Sequence, residues 1–201
     1  KGNNAVMVTS DKDMGQAISD CIVMYDPMKD LLFDEKAFIE AVELLKSSKR
    51  ILICGLGGSA LVGKDFSYKL QKLGMLAIEE GDTHAQLAYA ATLTESDLLF
   101  AISESGDTNE ITSVVSEAKS NQAKIISVTR FGSTPISDMA DVKLYSVADD
   151  ESARLSSILA RTAQEFIIDI LFIAITQSFK QGRNYLQESN QVVTDFRQDK
   201  N

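Results

Sequence analysis

Arg50-Ile51-Leu52-Ile53-Cys54-Gly55-Leu56-Gly57-Gly58-Ser59 is a short apolar run closed by glycines and a serine. So apolar a run over so few residues suits a strand buried on both faces, as in a parallel sheet, and the glycines suit a tight turn into a helix. A helical pattern follows over 59–73. The same unit recurs downstream, with apolar runs at 75–78, 97–102, 124–129 and 142–147 and helical patterns at 84–91, 108–120 and, briefly, 135–140. Five strands alternating with helices through right-handed crossovers predict an α/β fold: a doubly wound, three-layer αβα sandwich around a five-stranded parallel sheet.

Extra helices flank this unit. Met14, Ile18, Ile22 and Tyr25 recur at helical spacing, and a second amphipathic segment after Pro27 carries Phe38, Ala41 and Leu45. A long helix is expected over 152–181. From Gly182 the chain is polar and reads as a tail, or as a helix set against a partner.

The chain has 201 residues, 44% hydrophobic and 24% charged, as expected of one globular domain. It begins at Lys1, and its first ten residues lack an apolar core, so this stretch does not read as a signal peptide and the chain reads as a piece of a longer protein. Cys21 and Cys54 form no CxxC pair, which argues against a disulfide framework or structural zinc and fits a reducing cytoplasm. The apolar run 166–175 is broken by Asp169 and is shorter than the roughly 18 residues a membrane span needs. A net charge of −9 disfavours binding to nucleic acid by this segment alone, and Lys69 and Lys72 are spaced like solvent-facing helix positions.

In an open parallel sheet, ligands bind beyond the carboxyl ends of strands where strand order reverses, so two turns matter. Gly55 to Ser59 follows the first strand and opens a helix whose free N–H groups attract anions. Ser103-Glu104-Ser105-Gly106-Asp107-Thr108 follows the third strand and offers three hydroxyls and a glycine at the next helix start. Hydroxyls and N–H groups can hold a phosphate monoester without cationic side chains. Singly, Ser103 and Asp107 also suit an N-cap and a first-turn acid; two such turns together favour a phosphate site.

Rival motifs overlap this region. Gly55-x-Gly57-x-x-Ala60 satisfies a dinucleotide fingerprint, with Glu79 or Glu80 near the place of a ribose-binding acid, but it leaves the hydroxyl-rich turn without a use. Gly58 to Lys64 has P-loop spacing, yet Asp65 stands where Ser or Thr must ligate magnesium. His84, the only histidine, follows Asp82-Thr83, which reads as a helix cap, and is expected near the end of a neighbouring strand, within reach of a sugar oxygen.

Gly57-Gly58-Ser59 and Ser103-x-Ser105-Gly106-Asp107-Thr108 resemble the motifs of the SIS, or sugar isomerase, domain, whose fold is flavodoxin-like. The stretches from Gly58 to Leu70 and from Asp149 to Ser157 look most like RpiR/MurR-type bacterial transcription regulators. The resemblance covers about 12–181. It implies a phosphosugar-binding domain at 12–182, a linker at 1–11 from a missing helix-turn-helix domain through which alone DNA would be bound, and a polar tail at 183–201. The implied ligand is a phosphorylated sugar or amino sugar, with a 6-phosphate favoured. Ser59, Ser103, Ser105 and Thr108 would contact phosphate, Gly57, Gly58 and Gly106 would permit close backbone approach, and His84 would touch the sugar. Glu151 and Arg154 form a second tier, completing the pocket or reaching a neighbouring subunit.

The resemblance further implies a homodimer or homotetramer and a cytoplasmic sensor without catalytic residues, metal, cofactor or membrane attachment. A phosphosugar isomerase is the alternative, and a dinucleotide-binding oxidoreductase comes third. Glu104 departs from the family pattern, which often has an uncharged or aromatic polar residue between the two serines, and a carboxylate facing phosphate would repel it. Its side chain is expected to turn toward sugar hydroxyls or an amide, or to gate the site.

Overall fold

The computed structural model describes residues 25–26, 31–32, 35–146 and 156–198. Two-residue strands β1 (Tyr25–Asp26) and β2 (Leu31–Leu32) pair antiparallel. Tyr25, expected in a helix, is therefore extended. Pro27 bears on this through Asp26, which precedes it and is pushed from the helical region, so a helix must end at or before Asp26. The rest of that expected helix, with Cys21 and the 1–11 linker, lies outside the described residues.

The remaining order is α1 (Glu35–Ser47), β3 (Ile51–Cys54), α2 (Gly58–Lys72), β4 (Ala77–Glu79), α3 (Thr83–Ala90), β5 (Leu98–Ile102), α4 (Asn109–Ser120), β6 (Lys124–Arg130), α5 (Pro135–Met139), β7 (Val142–Ser146), α6 (Ser156–Ser178) and α7 (Lys180–Gln198). Strands β3 to β7 form one parallel sheet in the order β4-β3-β5-β6-β7. The doubly wound αβα sandwich is thus as expected. Its elements differ from the expected bounds by one or two residues, apart from the carboxyl-terminal helices. There the helix ends at Ser178 and a new one, α7, takes in the segment read as a tail.

Successive strand residues point to opposite faces, and the burial follows that alternation. Ile51, Ile53, Leu98, Phe100, Ile102, Ile126 and Val128 pack with α1, α2 and α6. Leu52, Cys54, Leu99, Ala101 and Ile125 pack with α3, α4 and α5. Phe66 of α2 meets Phe100 of β5 with ring centroids 4.9 Å apart. Asp169, which interrupts the apolar run of α6, forms an ion pair with Lys69 of α2, so it sits where α6 crosses α2 at the surface. No helix among the described residues is long and apolar enough to cross a membrane. Cys54 is fully buried, and burial pushes its thiol up to about 12, which makes it unreactive packing.

At the amino-terminal edge of the sheet, Asp97 is 2% exposed. Its carboxylate accepts from Arg50 Nε at 3.1 Å and Nη2 at 2.6 Å, and from Thr94 N and Oγ1 at 2.8 Å each. The bond from Arg50 is the main reason its carboxyl falls to about 2, with burial opposing and Thr94 assisting. The folded value lies below the unfolded one, near 3.9. The stability Asp97 contributes is therefore complete above about pH 4 and lost as pH falls through about 2. Asp97→Asn should cost about 2 kcal/mol at pH 7, the scale of a hydrogen bond to a charged group. Denaturant titrations should show the deficit shrinking between about pH 4 and pH 2.

Candidate functional site

From β3 the chain crosses to β4 on one side, then returns past β3 to β5 on the other. Helices α2 and α4, which follow β3 and β5, belong to opposite layers. The carboxyl ends of β3 and β5 are adjacent, so the two helices diverge and leave a crevice between their N-termini. A cavity of about 430 Å³ lies there, lined by Leu56, Gly58, Ser59, Ile102, Ser103, Glu104, Ser105, Thr108, Ile111, Arg130, Ala160, Arg161 and Gln164.

Neither helix facing the cavity has a side-chain cap. Gly57 precedes α2 with φ 58°, a conformation only glycine adopts freely. Thr108 precedes α4, but its hydroxyl lies 3.0 Å from Ser103 Oγ and 3.4 Å from Ser105 Oγ and caps nothing. By contrast, α3 is capped by Asp82, which accepts from Ala85 N at 2.9 Å, and α5 by a capping box between Thr134 and Ser137. Ser59 N donates to Leu56 O at 3.2 Å, and the other first-turn amides of α2 and α4, with no side-chain cap, are left for whatever enters the cavity.

The second turn is held from outside. The β5–β6 ladder continues into it through Ser103 N to Val128 O at 3.0 Å and Arg130 N to Glu104 O at 2.9 Å. Gly106 bends away at φ 65° and lies so close to α5 that an added Cβ would fall 2.3 Å from Thr134 Oγ1. Its carbonyl accepts from Ile136 N at 3.1 Å. The first turn is braced by Gln86, wholly buried, whose Nε2 donates to Gly55 O at 3.2 Å and Glu80 O at 2.6 Å.

Glu104 turns toward the sheet edge and α6. Its Oε2 accepts from Ser146 Oγ at 2.7 Å and from Gln164 Nε2 at 3.3 Å. Within the chain it thus meets one side-chain amide, that of Gln164. Arg130 and Arg161 bring positive charge to the lining, and neither was anticipated from the sequence. Arg130 ends β6 one strand over from Ser103, so its position at a strand terminus was the available signal. Arg161 and Gln164 reach the cavity only through the packing of α6.

Of the residues expected at the site, Gly58, Ser59, Ser103, Glu104, Ser105 and Thr108 meet at the cavity, while Gly57 and Gly106 shape its turns. His84 is exposed near the start of α3 and does not line the cavity of its own chain. Glu151 and Arg154 lie outside the described residues. The P-loop spacing is accidental, since Gly63 and Lys64 are inside α2. Gly63 serves packing there, where a Cβ would come 3.0 Å from the Ile53 side chain.

A family model for the SIS domain matches residues 44–174. The chain belongs to the SIS domain family. Solved SIS-fold structures align over most of it. NanR of Vibrio vulnificus, in complex with ManNAc-6P, is 27% identical over 82% of this chain and 62% of its own, with a TM-score of 0.75. The chain thus spans under two thirds of that protein's length. A phosphoheptose isomerase from Francisella tularensis is 25% identical over 71% of this chain and 86% of its own, with a TM-score of 0.59. The sugar isomerase domain of an RpiR transcription factor from Sphaerobacter thermophilus shares the fold at 19% identity, covering 79% and 88% of the two chains with a TM-score of 0.69. SIS domains thus occur in regulators and in isomerases alike.

Two glycines separate backbone need from open space. Gly106→Ala should cost more than about 1 kcal/mol, because it adds left-handed strain to a clash with the Thr134 side chain, its Cβ included. At Gly58 an added Cβ meets nothing within 4 Å, so Gly58→Ala should leave stability unchanged or raise it by up to about 1 kcal/mol. Thermal melts of the two variants check the contrast.

Proposed function

We propose that this SIS domain is the phosphosugar-sensing module of a transcription regulator of sugar or amino-sugar metabolism. The observation that carries the reading is the pair of uncapped helix starts, α2 and α4, converging on a cavity whose lining supplies Ser103, Ser105 and Thr108. Donors preorganised around one cavity suit one phosphate, and Arg130 and Arg161 add favourable potential for an anion in an otherwise acidic chain. A cavity of about 430 Å³ accommodates a hexose phosphate. The similarity to NanR, solved with ManNAc-6P, supports an amino-sugar 6-phosphate as the ligand.

In this reading residues 12–182 form the sensing unit and 1–11 a linker, DNA contact belongs to a separate helix-turn-helix unit, and the protein works in the cytoplasm as a homodimer or homotetramer. Ligand alters DNA affinity by favouring one arrangement of the assembly. Leu61 on α2 and Ile158 and Leu159 on α6 are exposed apolar side chains on two helices that pack together, which suits such an interface. His84, exposed and outside its own cavity, stays a candidate sugar contact only across such an assembly, and Glu151 and Arg154 are retained as second-tier candidates.

An isomerase is the second reading, favoured by the likeness to the phosphoheptose isomerase. Aldose–ketose conversion needs a base beside the carbonyl carbon. The described lining residues include one carboxylate, Glu104, with Oε2 engaged by Ser146 and Gln164, and no histidine.

Calorimetric titration with hexose and N-acetylhexosamine 6-phosphates, alongside turnover assays on the same compounds, separates the readings. Binding without turnover is the expected result, and turnover would replace the sensor by the isomerase. Ser103→Ala with Ser105→Ala should weaken binding on the order of 100-fold, two hydrogen bonds to a charged group being lost. Unchanged affinity would remove the second turn from the site.

A further inference from the structure

We infer that Gln164 is the positioning residue that joins the two ligand-facing turns and sets which atoms Ser59 and Glu104 present to a bound sugar. The inference rests on the reading of the cavity as a sugar-phosphate site and deepens it. Gln164 is 1% exposed, lies midway along α6 and lines the cavity. Its Oε1 accepts from Ser59 Oγ at 3.1 Å, and its Nε2 donates to Glu104 Oε2 at 3.3 Å. One amide thus bridges the turn after β3 to the turn after β5. It comes from a helix 105 residues beyond Ser59 and 60 beyond Glu104 in sequence.

The chemistry leaves one orientation. An ionised carboxylate only accepts, so the amide nitrogen faces Glu104 and the amide oxygen faces Ser59. Ser59 has a single hydroxyl hydrogen, which that oxygen takes, leaving the lone pairs of Ser59 for the cavity. An acceptor at this place suits a sugar hydroxyl and is unsuited to a phosphate dianion, which also only accepts. The phosphate therefore belongs at the second turn, with Ser103, Ser105, Thr108 and the start of α4. The sugar lies between Ser59 and Glu104. This revises the expectation that Ser59 holds phosphate: for that, the bond to Gln164 must first break.

Polar networks of this kind are costly to half-satisfy, which makes the amide replaceable only by a group with the same donor and acceptor. The charged groups around it are Glu104, Arg130 at the end of β6, and Arg161 one turn earlier on α6, itself paired with Glu165 at 3.5 Å. Gln164→Glu sets a second carboxyl against Glu104. Two carboxyls so close share one proton, and a protonated Glu side chain supplies the donor the amide supplied. Raising the pH removes that proton and leaves two charges facing each other.

The test compares the wild type, Gln164→Glu and Gln164→Leu in the full chain. Without ligand, the Tm deficit of Gln164→Glu should grow from pH 5.5 to pH 8.5, while that of Gln164→Leu stays level. In calorimetry with N-acetylmannosamine 6-phosphate, Gln164→Glu should bind about tenfold or more weaker than wild type at pH 8, and within about threefold at pH 5.5. Ratios to wild type cancel the titration of the phosphate itself. A Tm deficit of Gln164→Glu that ignores pH, or wild-type affinity in Gln164→Leu, overturns the inference. Absence of wild-type binding to this or any other hexose 6-phosphate overturns the ligand reading instead, and the Tm series alone then decides whether Gln164 and Glu104 are coupled.

Discussion

Right-handed crossover is the constraint from which the site follows. A chain that places β4 on one side of β3 and β5 on the other must send α2 and α4 to opposite faces of the sheet. Their N-termini then diverge above two adjacent strand ends. Amide donors that would elsewhere be satisfied by a capping side chain or by water face a cavity instead. The apolar faces of β3 and β5 make this arrangement rigid, because Ile53 and Phe100 are locked between α2 and α6 while Cys54 and Ala101 are locked under α3 and α4.

Rigidity in the turns themselves is supplied differently at each one. The second turn borrows it from β6 through two backbone bonds and from α5 through the close approach of Gly106 to Thr134. The first turn is braced by two buried glutamines, Gln86 from one layer and Gln164 from the other. Hydroxyl groups held in this way need little reorganisation to receive an anion, and a chain of net charge −9 can bind one because the donors act at short range.

Glu104 shows how the same residue changes meaning with its partners. Beside a phosphate it would be repulsive. Bonded to Ser146 and Gln164, it faces β7 and α6 and ties the second turn to both. The arginines complete the polarity, so that anion-attracting and hydroxyl-accepting groups occupy different parts of one small volume.

Five strands, the helices between them and both cavity-facing turns are legible in the sequence, because each depends on neighbours only a few residues away: apolar runs, glycines at turns, hydroxyls at helix starts. The same locality explains why the cap role of Asp82 could be read. Tyr25 falls at helical spacing yet is extended, because Pro27 pushes Asp26 from the helical region and a helix must end at or before it. The end of α6 and the helix of the polar segment after Gly182 are set by packing of Phe179 and Leu186 on the core, which periodicity does not report. What only the tertiary structure decided was the far wall of the cavity. Arg130, Arg161 and Gln164 come from β6 and α6, and no local pattern distinguishes an arginine or glutamine that turns inward from one left in water. Burial and the matching of donors to acceptors across 60 to 105 residues select Gln164, and these exist only once the layers have closed.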